Sequence, residues 1–209
     1  MTSSVLADPL PELVADASAV ISLLASGAAR PVLESLPVRL RVVKQVSREL
    51  ATGQQRGWDT SALLGTLVQS NLAEIVGLDD ASHECFESLV IGNAADTLDD
   101  GEAATIAYAR ASGVVAIVDE KKARRICTAR FPELIVHSTV ALLMSAHVTR
   151  VLGEAAVGDA VFNALRTGRM RVPAVDHQRV VEIIGAERAR LCLSLPEHVR
   201  APAAKKGTG

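Results

Sequence analysis

The sequence predicts an α/β fold built on a parallel sheet covered by helices on both faces, and three observations point there. Short continuous apolar runs alternate along the chain with segments of helical period, the pattern of strands buried on both sides. The 209 residues are 49% hydrophobic and only 2% aromatic, enough for one sizeable core but poor material for aromatic base stacking. Two apolar runs end in aspartate, LVAD at 13–16 and VVAIVD at 114–119, where strands of such sheets open onto a ligand crevice.

Strands are expected at Leu13–Ala15, Leu40–Val43, Ala73–Leu78, Val114–Val118 and Leu134–Val136, each a short apolar run bounded by polar residues. A helix should follow Ser18, and others should span Lys44–Ala51, ended by Gly53, then Ser61–Gln69 and Ala81–Leu89. The clearest helix opens at Asp99 and stops at Gly113, with Ala103, Ile106, Ala107 and Ala111 recurring at helical spacing. Further helices are expected at Lys121–Ala129, Thr139–Thr149, Glu154–Leu165 and His177–Arg190. From Pro196 onward the apolar content is too low to pack, which predicts a disordered tail over 196–209.

The net charge of −2 gives no global attraction to nucleic acid or anionic lipid, so any such contact needs a local basic patch. Three cysteines, Cys85, Cys127 and Cys192, form no CxxC pair, which argues against a disulfide framework or zinc site and for a reducing, cytoplasmic setting. The opening MTSSVLADPLPEL lacks a basic region followed by a long apolar stretch, and no apolar run approaches eighteen residues; neither export nor a membrane span is expected.

The acidic residues carry the chemistry. Asp16 and Asp119 close two buried strands, Glu102 lies in the first turn of the helix preceding the Asp119 strand, and Glu49 lies in the helix after the second strand. There Val46 and Leu50 face inward and leave Gln45 and Glu49, four apart, on an adjoining face. Four crowded carboxylates would raise one another's pKa unless a cation neutralised them, and hard oxygen ligands favour Mg²⁺ or Mn²⁺. Such an ion supports phosphodiester hydrolysis by activating water and neutralising charge at phosphorus and the leaving oxygen.

Each residue also has a structural role to weigh. Asp16 alone reads as a helix cap; with Asp119 at a second strand end it reads as a ligand. Asp99 and Glu102 form D-x-x-E, a capping box, and Asp100 replaces Glu102 if the helix starts later. Glu49 could be a solvated helix-end carboxylate, and Glu120 replaces Asp119 if the strand runs one residue further. Lys121, Lys122, Arg124 and Arg125 make a solvated helix face or, beside a site, hold phosphates; Lys44 and Arg48 offer a second basic strip. His83, His137 and His147 read as surface or packing residues, and Trp58 as loop packing more than base stacking.

Taken in order, LVADASAVISLL, VSRELATG, LDDGEAATIAYARASG and VVAIVDEKKARRIC resemble the PIN-domain family of metal-dependent ribonucleases. The likeness is greatest to a bacterial subgroup whose third motif opens on Gly-Glu-Ala and whose fourth leads into a basic helix, and it covers roughly residues 12 to 150. It implies a three-layer sandwich around a five-stranded parallel sheet, with Asp16, Glu49, Glu102 and Asp119 as metal ligands and Ser18 orienting the first carboxylate or a bound water. Thr139, in HSTVALLMSA, falls on a small hydroxyl position of that subgroup. The resemblance further implies cleavage of single-stranded RNA, homodimers and, for many relatives, a toxin role under a small antitoxin protein. The chain departs from a compact toxin in its length, so residues 1–150 are expected to form the nuclease-like domain and 151–195 a helical extension packed on it.

Two other function classes compete: a non-catalytic PIN-like module that binds RNA or protein, and a phosphoryl-transfer enzyme with an aspartate nucleophile. The second lacks the usual acid two residues after the first aspartate, where Ser18 stands, and neither G-x-G-x-x-G nor G-x-x-x-x-G-K-[ST] occurs.

Overall fold

A computed structural model of the chain describes residues 12–52 and 59–200. In chain order, β1 (Leu13–Ala15), α1 (Ala17–Ala25), α2 (Ala29–Glu34), β2 (Leu40–Val43), α3 (Lys44–Thr52), α4 (Thr60–Gln69), β3 (Ala73–Val76) and α5 (Asp80–Val90) form the first part. Then follow α6 (Asp100–Ser112), β4 (Val115–Ile117), α7 (Lys121–Arg130), β5 (Val136–His137), α8 (Thr139–Leu143) and α9 (Ala146–Leu152). The last part holds α10 (Glu154–Arg166), a 3₁₀ turn at Ala174–Asp176, α11 (His177–Ile184), α12 (Ala186–Arg190) and α13 (Glu197–Arg200).

The five strands make one parallel sheet in the order β3-β2-β1-β4-β5, the core of a three-layer α/β sandwich. After β1 the chain builds outward through β2 to β3 and then returns to lay β4 on the other side of β1. The order therefore reverses between β1 and β4, and the crevice of such a sheet opens at their carboxyl ends. Register there is set by Ala15 opposite Ile117, with the Asp16 N–H donating to the Ile117 carbonyl at 3.2 Å. Leu13, Val14, Val42, Val43 and Ile117 are buried on both faces, which is why these strands read as unbroken apolar runs instead of alternating.

Helix α6 lies across β1, β2 and β4 and packs against α3 and α5. Its Ala103, Ala104, Ala107 and Ala109 are fully buried, small enough to bring the helix axis close to the sheet, and Gly113 ends it in the left-handed conformation (φ 66°). Helix α1 packs against α10 and α8, so the C-terminal part is seated directly on the helix that follows the first strand.

Several boundaries differ from the sequence reading. The 139–149 helix breaks in two because the Ser145 hydroxyl caps α9 by accepting from Val148 N–H. The 177–190 helix breaks at Gly185, whose φ of 83° no helix accommodates. Strand β5 lies two residues later than expected, since Ile135 is 56% exposed while His137 is buried. Helix α2 had no expectation. The segment from Pro196, expected as tail, is ordered through α13, because Val199 packs on the core and Arg200 Nε donates to the Leu195 carbonyl at 2.9 Å. No helix among the described residues is long and apolar enough to cross a membrane.

Candidate functional site

The reversal of strand order brings the two strand-end aspartates together. Asp16 follows β1 directly and caps α1: its Oδ1 accepts from the Ala19 N–H at 2.7 Å and from the Ser18 hydroxyl at 3.0 Å. Asp119 stands two residues past β4, where its Oδ1 accepts from the Thr139 N–H at 2.7 Å, at the start of α8. Asp16 is 1% and Asp119 4% exposed. In both, one oxygen is clamped to backbone and the other, Oδ2, is buried without a hydrogen-bond donor in good geometry among the described residues. A buried carboxylate oxygen left without a partner is costly, so this pair is chemically incomplete as the protein alone provides it.

The electrostatics agree. Burial, then the neighbouring charge of Asp119, pushes the Asp16 pKa up to about 8, and Glu102 adds to the rise against the hydrogen bonds from Ala19 and Ser18. Burial also raises Asp119, opposed by the Thr139 N–H, by the hydroxyls of Thr139 and Ser22, and by the Arg124 guanidinium. Arg124 turns inward to donate from Nη1 to the Val118 carbonyl at 3.2 Å.

The two glutamates complete the acidic wall from the helices. Glu102, in the first turn of α6, is raised by burial, then by Asp99 and by Glu49; the Asp99 N–H and Lys122 work against the rise. Asp99 caps α6 with no side-chain hydrogen bond, so the expected capping box is not completed. Glu49 reaches this wall because residue 101 is glycine: a Cβ there would stand 2.6 Å from Glu49 Oε2 and 3.4 Å from a Val46 methyl. The Gly-Glu step in DDGEAA thus provides both the room for Glu49 and the neighbour beside it. Glu49 is in turn raised by partial burial and by Asp99.

These groups line one open cleft of about 830 Å³, bordered by Ser18, Ser22, Glu49, Asp99, Glu102, Asp119 and Lys122. Asp16 lies beneath the cleft surface rather than on it. As placed, no three His, Cys, Asp or Glu side chains among the described residues are close enough to hold one ion, so the four predicted carboxylates gather electrostatically without forming a closed ligand cage. The donor set nevertheless suits a hard divalent cation: all oxygen, crowded enough to raise its own pKa values, and with two orphaned oxygens at the sheet edge.

The other sequence candidates fall as follows. Asp100 is exposed and off the cleft, and its neighbour Asp99 occupies the cleft instead. Glu120 lies on the cleft rim in an ion pair with Arg171 and does not take the place of Asp119. Of the basic residues singled out from the sequence, Lys122 alone lines the cleft, with its Nζ on the Ala94 carbonyl at 2.5 Å. Arg125 is spent on the Ala95 carbonyl and Asp96, and Lys121, Arg124 and Arg125 border a separate cavity of about 440 Å³. Lys44 lies over Gly77 and Arg48 is exposed on α3. Trp58 and Gly53 lie outside the described residues.

Sequence reasoning missed Ser22, Asp99 and the whole opposite wall, Gly168, Arg169, Arg171, Leu193 and Ser194. Ser22 was legible, one helical turn after Ser18 on α1; the opposite wall comes from 168–171 and 193–194, beyond all the predicted carboxylates in the chain, and carries no local signal.

Comparison with known proteins supports the same identification. Neither the curated proteins nor the solved structures yield a match. A family model described as a PIN domain matches residues 12–186, past the end of the four motifs and through α10 and α11. PIN domains are generally nucleases that use divalent metals, and the sheet order, the strand-end aspartates and this match give one conclusion: the chain belongs to the PIN-domain family.

Proposed function

We propose that this protein is a Mg²⁺- or Mn²⁺-dependent endoribonuclease acting on single-stranded RNA. The observation that carries the proposal is the pair of buried, unpartnered oxygens, Asp16 Oδ2 and Asp119 Oδ2, at the reversal point of the sheet. Asp16 and Asp119 would hold the ion at the base of the cleft, with Glu102 and Glu49 completing its shell from α6 and α3. When bound, the ion lowers the pKa of water and neutralises charge at phosphorus and at the leaving oxygen.

The chain's own residues supply the rest. The Ala19 and Thr139 N–H groups fix the two aspartates in one orientation, so no side-chain freedom is lost when the site is occupied. Ser18 donates to Asp16 Oδ1 from the cleft side, and its oxygen can accept a hydrogen bond from a water there. Lys122 stands against Glu102, where it can meet a phosphate oxygen.

The test is cleavage of a labelled single-stranded RNA with Mn²⁺, with excess EDTA, and by the Asp16→Asn chain. Cleavage should require the metal and be lost in Asp16→Asn; equal cleavage in all three would refute the mechanism. A non-catalytic module that binds RNA or protein is the second reading, favoured by the lack of three converging ligands among the described residues. Calorimetry separates them, since the module binds no Mn²⁺ at millimolar concentration.

A further inference from the structure

The wall facing the carboxylates is built from the C-terminal part of the chain, and its construction is specific. Helix α10 ends at Arg166, and Gly168 then passes so close to α1 that a Cβ would stand 2.8 Å from the Ala25 Cβ, 2.8 Å from the Ala164 carbonyl oxygen and 3.3 Å from the Ser22 Cα. Only glycine permits that approach, and it sets the turn beside Ser22, whose hydroxyl faces Asp119. Two residues on, Met170 is 1% exposed, plugged into the core, and its N–H donates to the Ala164 carbonyl at 3.0 Å. Ser194 ties the same corner from outside by donating to the Leu165 carbonyl at 3.2 Å.

Between these two anchors Arg169 is held at φ 53°, the left-handed conformation that glycine or asparagine adopts readily and a long side chain does not. Backbone preference thus disfavours arginine at this position of the turn, which lines the cleft. Its charge also stands out. Among the cations that line the cleft, Lys122 is bonded to the Ala94 carbonyl and Arg171 is paired with Glu120. Arg169 has no hydrogen-bond or ion-pair partner among the described residues, although it lines a cleft with Glu49, Asp99, Glu102 and Asp119.

We propose that Arg169 is a phosphate-binding residue of the cleft: its guanidinium takes a backbone phosphate of the RNA strand, and the Arg171–Glu120 pair positions the turn that presents it. This rests on the ribonuclease reading above. The acidic wall of Glu49, Asp99, Glu102 and Asp119 repels a polyanion except at the ion, so a strand laid against it needs an uncommitted cation on the far wall. Arginine suits the task because its planar fork meets two phosphate oxygens at once. The C-terminal part of the chain then belongs to the binding surface and does more than pack on α1.

The test uses the full-length chain carrying Asp16→Asn, so that RNA is bound and not cut, with a short fluorescent single-stranded RNA read by anisotropy over a KCl series. Adding Arg169→Ala should weaken binding roughly 5- to 10-fold and lower the slope of log affinity against log salt by about 0.7, the value for one phosphate contact on a single strand. Arg169→Lys should restore the slope and part of the affinity. Arg169→Gly should bind as weakly as the alanine variant while melting no lower than its parent, because it relieves the backbone. Unchanged affinity and slope in Arg169→Ala, beside a wild-type chain that cleaves RNA, would overturn the clamp alone. A drop in melting temperature that accounts for the weakened binding would make Arg169 structural and also overturn it. A wild-type chain that neither cleaves RNA nor binds it would overturn the ribonuclease reading, and the clamp with it.

Discussion

The two halves of the acidic wall are built on different principles. Asp16 and Asp119 are locked by backbone N–H groups at the ends of neighbouring buried strands, whereas Glu49 and Glu102 ride on helices and remain half open to solvent. A short side chain at a strand end has almost no freedom, so it can be buried and pre-aimed; a glutamate on a helix can swing to meet an ion and swing away. On the proposed reading the aspartates would define where an ion sits, and the glutamates would adjust to it.

The sharpest break of this contrast comes from neutralising one member of each pair. Asp119→Asn, like Asp16→Asn, should reduce Mn²⁺-dependent RNA cleavage by more than ~100-fold, beyond the 10- to 100-fold typical of a supporting residue. The same change should raise the melting temperature of the metal-free protein, since a buried carboxylate without a full set of partners is removed. Glu102→Gln and Glu49→Gln should cost ~10- to 100-fold, and cleavage should recover substantially as Mn²⁺ is raised, which the aspartate variants should not show. Equal, unrescued losses in all four would erase the distinction.

A finer probe is Gly101→Ala. Alanine favours a helix interior over glycine by up to ~1 kcal/mol, yet here its methyl would displace Glu49. Cleavage should fall about 10-fold while thermal stability holds or rises, a combination that steady-state rates and a melting curve will read together.

The smallest effect concerns stability alone. The native pKa of Asp16 lies near 8, above the value of 3.8 for a free aspartate, so between those limits the native state holds a proton the unfolded chain has released. Metal-free stability should accordingly fall as pH rises from about 4 towards 8. Because bound metal requires the ionised carboxylate, Mn²⁺ should stabilise most at the upper end of that range. Melting temperatures across pH, with and without Mn²⁺, check the sign, and Asp16→Asn should flatten the metal-free slope.

Much of this site was legible in the chain itself. Asp16 and Asp119 could be placed because a buried parallel strand is a short apolar run, so the first charge after it marks the carboxyl end. Glu102 followed from a helix start and Glu49 from the 3.6-residue period beside Val46 and Leu50. What the local pattern could not tell was the reason for Gly101, which only the position of Glu49 across from it explains. Nor could it tell that Arg124 turns inward and Arg125 binds a loop, because a basic helix face looks the same in sequence whatever it meets.

Sequence periodicity pointed to the sheet and its parallel sense, since burial on both faces and helical spacing are written in neighbouring residues. It narrowed the acidic candidates to the strand ends, a helix start and a helix face, with the family resemblance choosing among them. Tertiary structure alone decided which strands adjoin, which aspartate oxygens are left without partners, and that a turn at 168–171 closes the cleft opposite them. Those are contacts between segments far apart in the chain, governed by packing and register, and no local pattern encodes them.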